Sequence, residues 1–158
     1  MRVGITGHQR RPEIDWQWIA DSISVELRNF TQVDQALSSL AVGSDQVFAR
    51  VALDLGIPIL AVIPTDDYET QFSGSDGETY RDLLSRSEIL KMRCVGDHEH
   101  CFLEAGKEIV RRSDVVFAVW DGKPSEGVGG TADVVAFALS NARCVMHFDP
   151  ADRAVSIL

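Results

Sequence analysis

The chain has 158 residues, a length that suits one domain and not two. Its 45% hydrophobic and 25% charged content is ordinary for a globule with a full core. A formal net charge of −9 argues against a general nucleic-acid or anionic-membrane surface, so neither partner is expected; phosphate-rich partners demand a basic footprint. One small anion held by a local patch stays compatible with that charge, and Arg10, Arg11 and Lys123 are candidates for the patch.

No apolar run approaches transmembrane length, and no charged segment followed by an apolar one opens the chain, so no secretory signal is expected. Cys94, Cys101 and Cys144 cannot all pair, and a cytoplasmic, reduced protein is the simplest expectation.

In chain order, Arg2 to Thr6 reads as a strand ending in Gly7-His8-Gln9-Arg10-Arg11-Pro12. A strand, a glycine and then polar residues is how a doubly wound sheet often begins its ligand crevice. The spacing is not GxGxxG, so no dinucleotide fingerprint is assigned. His8 reads either as a general base or as a loop histidine bonded to backbone, and Arg10 and Arg11 either as a phosphate clamp or as solvated charge. Ile19, Ile23, Leu27 and Phe30 recur at helical spacing behind Asp15, an N-cap candidate, and Trp16 and Trp18 are assigned to packing.

Val33 to Val42 reads as a second strand. It runs into Gly43-Ser44-Asp45 and a helix with Phe48, Val51, Ala52 and Leu55 on its inner face. Ser44 or Asp45 is expected to cap that helix, and Ser44 or the local amides to meet a ligand oxygen. Gly56 to Pro64 is apolar throughout, as for a strand covered on both faces. Thr65 to Gly77, with the Gly/Ser-rich segment Ser73 to Gly77, reads as a long loop, and Tyr68 or Phe72 is a candidate lid aromatic.

Tyr80 to Arg86 reads as a short helix and Glu88 to Val95 as a fourth strand. His98, His100, Cys94 and Cys101 match no zinc spacing, so no metal is expected, and no cofactor is assigned. A helix then carries Phe102, Ala105 and Ile109. Asp114 to Trp120 reads as a buried strand, Val134 to Leu139 as a mostly buried helix, and Arg143 to Phe148 as the last strand.

Between that strand and helix lies Asp121 to Asp133, which includes Gly127, Gly129 and Gly130. Strand, glycine-rich loop, helix presents backbone N–H groups and a positive helix terminus to an anion. Thr131 reads as a helix cap or as a donor to a phosphate or ribose oxygen.

The pattern implies an α/β fold: a single-domain, Rossmann-like three-layer sandwich with a mainly parallel sheet, spanning residues 1–158. In such folds ligands sit at the carboxyl ends of strands, where Gly7-His8, Gly43-Ser44-Asp45, Asp66-Asp67 and the Asp121–Thr131 loop would gather.

Gly4-Ile5-Thr6-Gly7-His8, Ala41-Val42-Gly43-Ser44-Asp45 and Gly127-Val128-Gly129-Gly130-Thr131 together resemble the SLOG superfamily, Rossmann-like domains related to the DNA-processing protein Smf/DprA and the LOG phosphoribohydrolases. The stretch from Ser113-Asp114 through Asp121-Gly122 to Gly130-Thr131-Ala132 is also similar to nucleoside 2-deoxyribosyltransferases. The superfamily resemblance implies a nucleotide or nucleotide-derived ligand. LOG enzymes and deoxyribosyltransferases both place a glutamate three residues after the threonine. Val134 stands there, and Asp133 lies about 100° round the helix.

Two functions follow. The first is a module that senses or sequesters a nucleotide or ribose phosphate. Gly129, Gly130 and Thr131 would contact the phosphate, with Ser44 and one of Arg10, Arg11 or Lys123 assisting, and Asp121 or Asp45 would accept ribose hydroxyls. The second is an N-glycosidase or phosphoribohydrolase in which Asp133, Asp121 or Asp45 supplies the missing carboxylate. A single-strand binder of the DprA kind is disfavoured by the acidic composition. The apolar helix Val134–Leu139 makes a homodimer a further expectation.

Overall fold

The computed structural model describes residues 1–125 and 128–158. It contains strands β1 (Arg2–Gly7), β2 (Gln35–Ser38), β3 (Ile59–Ile63), β4 (Glu88–Lys91), β5 (Val115–Val119), β6 (Cys144–Asp149) and β7 (Ala154–Ile157). The helices are α1 (Trp16–Asn29), α2 (Ser44–Asp54), α3 (Gly74–Ser85), α4 (His98–Arg112) and α5 (Thr131–Ser140), with a 3₁₀ turn at Tyr68–Gln71.

The sheet runs β4-β3-β2-β1-β5-β6-β7, parallel throughout except for β7. The chain winds outward from β1 to β4 and then crosses back to β5 on the other side of β1. That reversal makes β1/β5 the topological switch point, where open sheets of this kind form their crevice.

Period-two alternation sorts the strand side chains into the two faces. Ile5, Phe117 and Val119 point to one face and bury the apolar stripes of α1, α2 and α3, including Ile19, Ile23, Phe48 and Leu83. Val116, Ala118 and Val145 point to the other, against Val110 of α4 and Val134, Val135 and Ala138 of α5. The expected three layers and mainly parallel sheet are therefore present.

Several boundaries differ from the sequence reading. Asp15 does cap α1, accepting the Trp18 N–H at 3.1 Å. Neither Ser44 nor Asp45 caps α2: the cap residue is Gly43, and both side chains turn to other loops. The Ser73–Gly77 stretch is no open loop, because α3 begins at Gly74. Burial of Tyr80 and Leu83 draws the polar first turn into the same helix. The tail, uninformative in sequence, adds β7 antiparallel to β6 with all four side chains exposed.

The expectation of three reduced thiols is also corrected. Cys94 and Cys101 form a disulfide, with Cα atoms 5.5 Å apart, and Cys144 is the free cysteine. The odd count misled: Cys101 lies in the first turn of α4 and meets the loop leaving β4. Among the described residues, no helix is long and apolar enough to cross a membrane.

Candidate functional site

A cleft of about 530 Å³ opens at the carboxyl ends of β1, β2, β3 and β5. It is lined by Gly7, His8, Arg10, Asp45, Asp121, Lys123, Gly129, Gly130 and Thr131, so most residues expected at a site do converge. Gly127 lies outside the described residues.

The floor depends on close backbone approach. A Cβ at Gly7 would stand 2.6 Å from Ser44 Oγ and 2.9 Å from Val119 Cβ. Gly43 has φ +94°, and a Cβ there would meet the Gln9 carbonyl carbon at 2.7 Å and the Arg10 nitrogen at 2.8 Å. Ser44 is buried beneath this crossing, and both its hydroxyl and its amide donate to the His8 carbonyl, at 2.6 and 3.1 Å. Gly43 and Ser44 thus set the height of the His8–Arg10 loop and lie outside the cleft lining.

His8 joins the two switch-point loops. Its amide donates to the Val119 carbonyl, and its ring Nε2 accepts the Asp121 N–H at 3.1 Å. An accepting Nε2 is unprotonated. Burial, and then the nearby Arg11 charge, push the imidazole below its ordinary value, and the Asp121 carboxylate only partly opposes them.

Burial alone would raise Asp121, but the Lys123 N–H, the His8 ring (3.2 Å) and then the Arg11 guanidinium (3.2 Å) together outweigh it and hold the carboxyl below the usual range. Arg10 reaches across the rim to Asp76 at the start of α3, bonding both carboxylate oxygens at 2.5 and 3.3 Å. The two arginines therefore arrive already paired, each to a carboxylate of another element.

The last loop closes the other side of the cleft. Gly129 has φ +86°, and a Cβ there would lie 2.7 Å from the Glu99 carbonyl oxygen, so the loop rests directly on the first turn of α4. The N-cap of α5 is Gly130, with no side-chain cap; Thr131 is the first helical residue, not the cap. No described residue accepts a hydrogen bond from the Thr131 or Ala132 amide. A helix start left open in this way attracts negative charge.

Asp133 is placed differently from a catalytic acid. Its Oδ2 accepts the Gly129 N–H at 2.9 Å, and the residue is not part of the cleft lining. Val134, where the resembling enzymes carry glutamate, is 4% exposed and packs on Gly106. There a Cβ would come within 2.8 Å of a Val134 methyl carbon.

Beyond β1 the cleft turns aromatic. Tyr68 is buried edge-on against Phe72, Tyr80 and Phe102, with centroids 5.2 to 5.7 Å apart, while Phe72 stacks on Tyr80 at 4.3 Å. Tyr68, Phe72 and Phe102 all line the cleft. They form a wall, not a mobile lid. Sequence reading missed Phe102 here, because its helical spacing marks it as core.

At the foot of the wall, Asp45 is 7% exposed. Its Oδ2 accepts the Ser38 hydroxyl at 2.9 Å and the Ser39 N–H at 2.8 Å. Burial raises the carboxyl to about 6 against these bonds and the weaker help of the Ala41 and Leu40 amides. Among the described residues no group of three or more His, Cys, Asp and Glu could hold a metal ion.

Strand order and switch-point cleft together define a Rossmann-like α/β domain. Solved structures with this fold include DNA processing protein A from Streptococcus pneumoniae (TM-score 0.68, 19% identity), which aligns over 92% of this chain and 49% of its own. The Helicobacter pylori protein, described for its single-stranded DNA binding mode, aligns with TM-score 0.67 and 19% identity over 93% of this chain and 64% of its own. The molybdenum cofactor carrier protein of Chlamydomonas reinhardtii aligns with TM-score 0.59 and 16% identity over 94% of this chain and 76% of its own. This chain thus spans about half of the Streptococcus protein and less than two thirds of the Helicobacter one. No protein-family model matches the sequence, and no curated protein matches it.

These likenesses overturn the expectation that nucleic acid is absent from the partners, since the same fold serves a single-stranded DNA binder in the Helicobacter protein. A charge of −9 sums over the whole surface, whereas binding responds to the local potential of one cleft.

Proposed function

We propose that this chain binds a nucleotide or ribose-phosphate ligand as a sensor or carrier module, with the phosphate over the open start of α5 and the sugar between β1 and β5. The observation that carries this reading is the convergence of the uncapped Gly130–Thr131 terminus with Arg11, Lys123 and Asp121 in one cleft at the switch point. Asp121, held ionised, is the acceptor for ribose hydroxyls. Aromatic side chains beyond it supply apolar surface for a base.

A glycosidase is the weaker reading, because the position of the acid holds buried Val134 and the Asp133 carboxylate braces its own loop. Without a carboxylate beside the sugar, neither nucleophile nor oxocarbenium partner is supplied.

The test is calorimetric titration with ribose 5-phosphate, nucleoside monophosphates and a short single-stranded oligodeoxynucleotide, together with a free-base release assay. Monophosphate binding without base release, weakened tenfold or more by Gly129→Ala, supports the module. Base release assigns the glycosidase. Failure of every phosphate compound to bind overturns both, and oligonucleotide binding alone moves the site to nucleic acid.

A further inference from the structure

We infer that the Asp45 end of the cleft reads the edge of a guanine-type base, one that offers a ring N–H and an adjacent exocyclic amine to a single carboxylate. This rests on the nucleotide reading above and extends it from the phosphate to the base.

Three observations carry it. The first is position. Asp45 lies in the loop-to-helix turn after β2, whereas the anion seat follows β5, and β1 separates the two strands. Two strand spacings amount to about 10 Å, the order of the phosphate-to-base reach of a nucleotide. The second is shape. Asp45 lines the same cleft as Tyr68, Phe72, Phe102, Ala41, Val42 and Pro64, which offer apolar surface to a planar ring.

The third is the donor and acceptor balance. The close bonds to Asp45, from Ser38 and Ser39, both fall on Oδ2, and the Leu40 and Ala41 amides assist more weakly. A buried carboxylate in the lining of a ligand cleft accepts and does not donate, so it selects for N–H donors. Guanine presents N1–H and the 2-amino group side by side, a match for a carboxylate in two parallel bonds. Hypoxanthine keeps only N1–H. Adenine turns a lone pair at N1 toward the carboxylate, which repels it.

The nearby Tyr68 hydroxyl strengthens the selection. Burial, followed by the Asp45 charge, holds it well above its ordinary range, so it stays a neutral donor. A pterin carries the same amino-oxo edge, so the chemistry is shared and the ligand panel separates the sources.

The experiment is titration of the native chain at pH 8 with ribose 5-phosphate, GMP, IMP, AMP and a pterin phosphate, repeated with Asp45→Asn. The expected order is GMP, then IMP, then AMP, with GMP at least tenfold tighter than AMP. A pterin phosphate that outbinds GMP supports the edge reading and assigns the pterin as source. Asp45→Asn should bring the GMP to AMP ratio below threefold and leave ribose 5-phosphate unchanged.

Equal GMP and AMP affinities on a chain that binds ribose 5-phosphate overturn this inference alone. Silence from every ligand overturns the nucleotide reading with it. If Asp45→Asn fails to fold, the order of the three nucleotides on the native chain decides.

Discussion

The main-chain N–H of Asp121 donates to Nε2 of His8 at 3.1 Å, so the loops after β1 and β5 share one hydrogen bond across the switch point. That bond needs a neutral ring, and the folded state binds the His8 proton less readily than the unfolded chain does. The stability it confers is complete above the ordinary histidine value of about 6.5 and falls as pH drops below it toward the lowered folded value. In thermal melts from pH 7.5 to 5, His8→Gln should flatten this acid-side loss. An unchanged slope would remove His8 from the linkage.

Asp45 acts with the opposite sign. Its folded value of about 6 exceeds that of an unfolded aspartate, so the folded state holds the extra proton. The contribution is full below about 3.9 and disappears as pH rises through 6, a swing of roughly 2 to 3 kcal/mol. Asp45→Asn should therefore lose less stability than the native chain between pH 4 and 7, read as midpoint denaturant concentration. Parallel curves would count against a raised Asp45.

At Gly43, φ is +94° and the Gln9 and Arg10 backbones lie within 2.8 Å of any added Cβ. Gly43→Ala should cost about 3 kcal/mol, combining backbone strain with a clash that no rotamer relieves. For a chain of this size the melting temperature should fall by about 6 to 12 °C. Gly122→Ala is the control: it too has positive φ, but nothing lies within 4 Å of its Cβ, so it should cost only about 1 kcal/mol.

The Gly129 N–H bond to Asp133 predicts a split between two substitutions. Asp133→Ala frees an amide and loosens the loop, at a cost of roughly 1 to 3 kcal/mol in loop order, and should weaken ribose 5-phosphate binding several-fold. Asp133→Asn retains an acceptor and should come within about twofold of native affinity. Equal and complete loss of function in both would restore Asp133 as a reacting group.

Cys94 and Cys101 lie seven residues apart in sequence. Closing so short a loop stabilises by about 2 kcal/mol on the chain-entropy account. Reduction, or Cys94→Ser, should lower the melting temperature by about 4 to 8 °C, and Cys144→Ser should leave it unchanged. Insensitivity to reductant would show that the two thiols remain apart.

Much of the fold is legible in residues 1–120. The apolar runs at Arg2–Thr6, Gly56–Pro64 and Asp114–Trp120 have no room for polar contacts, which forces them into a sheet covered on both sides. Helical spacing of Ile19, Ile23 and Leu27 likewise leaves one answer for α1. The glycines of the candidate site were visible too, because only a missing Cβ permits the approach at Gly7 and Gly129.

The partners of the polar side chains were not visible. Ser44, Asp45 and Thr131 read as caps or ligand contacts, since local sequence offers each a nearby amide, and Asp133 read as a candidate catalytic carboxylate. Their actual bonds run to His8, to Ser38 and Ser39, and to Gly129, or, for Thr131, leave the cap to Gly130. Composition and periodicity determined the buried strands and the helices with a clear apolar stripe, since burial follows pattern, but not exposed β7 or the polar first turn of α3. Only the folded chain decided which loop amide each oxygen meets, because hydrogen bonds act over about 3 Å and the sheet brings residues 113 positions apart, His8 and Asp121, to that distance.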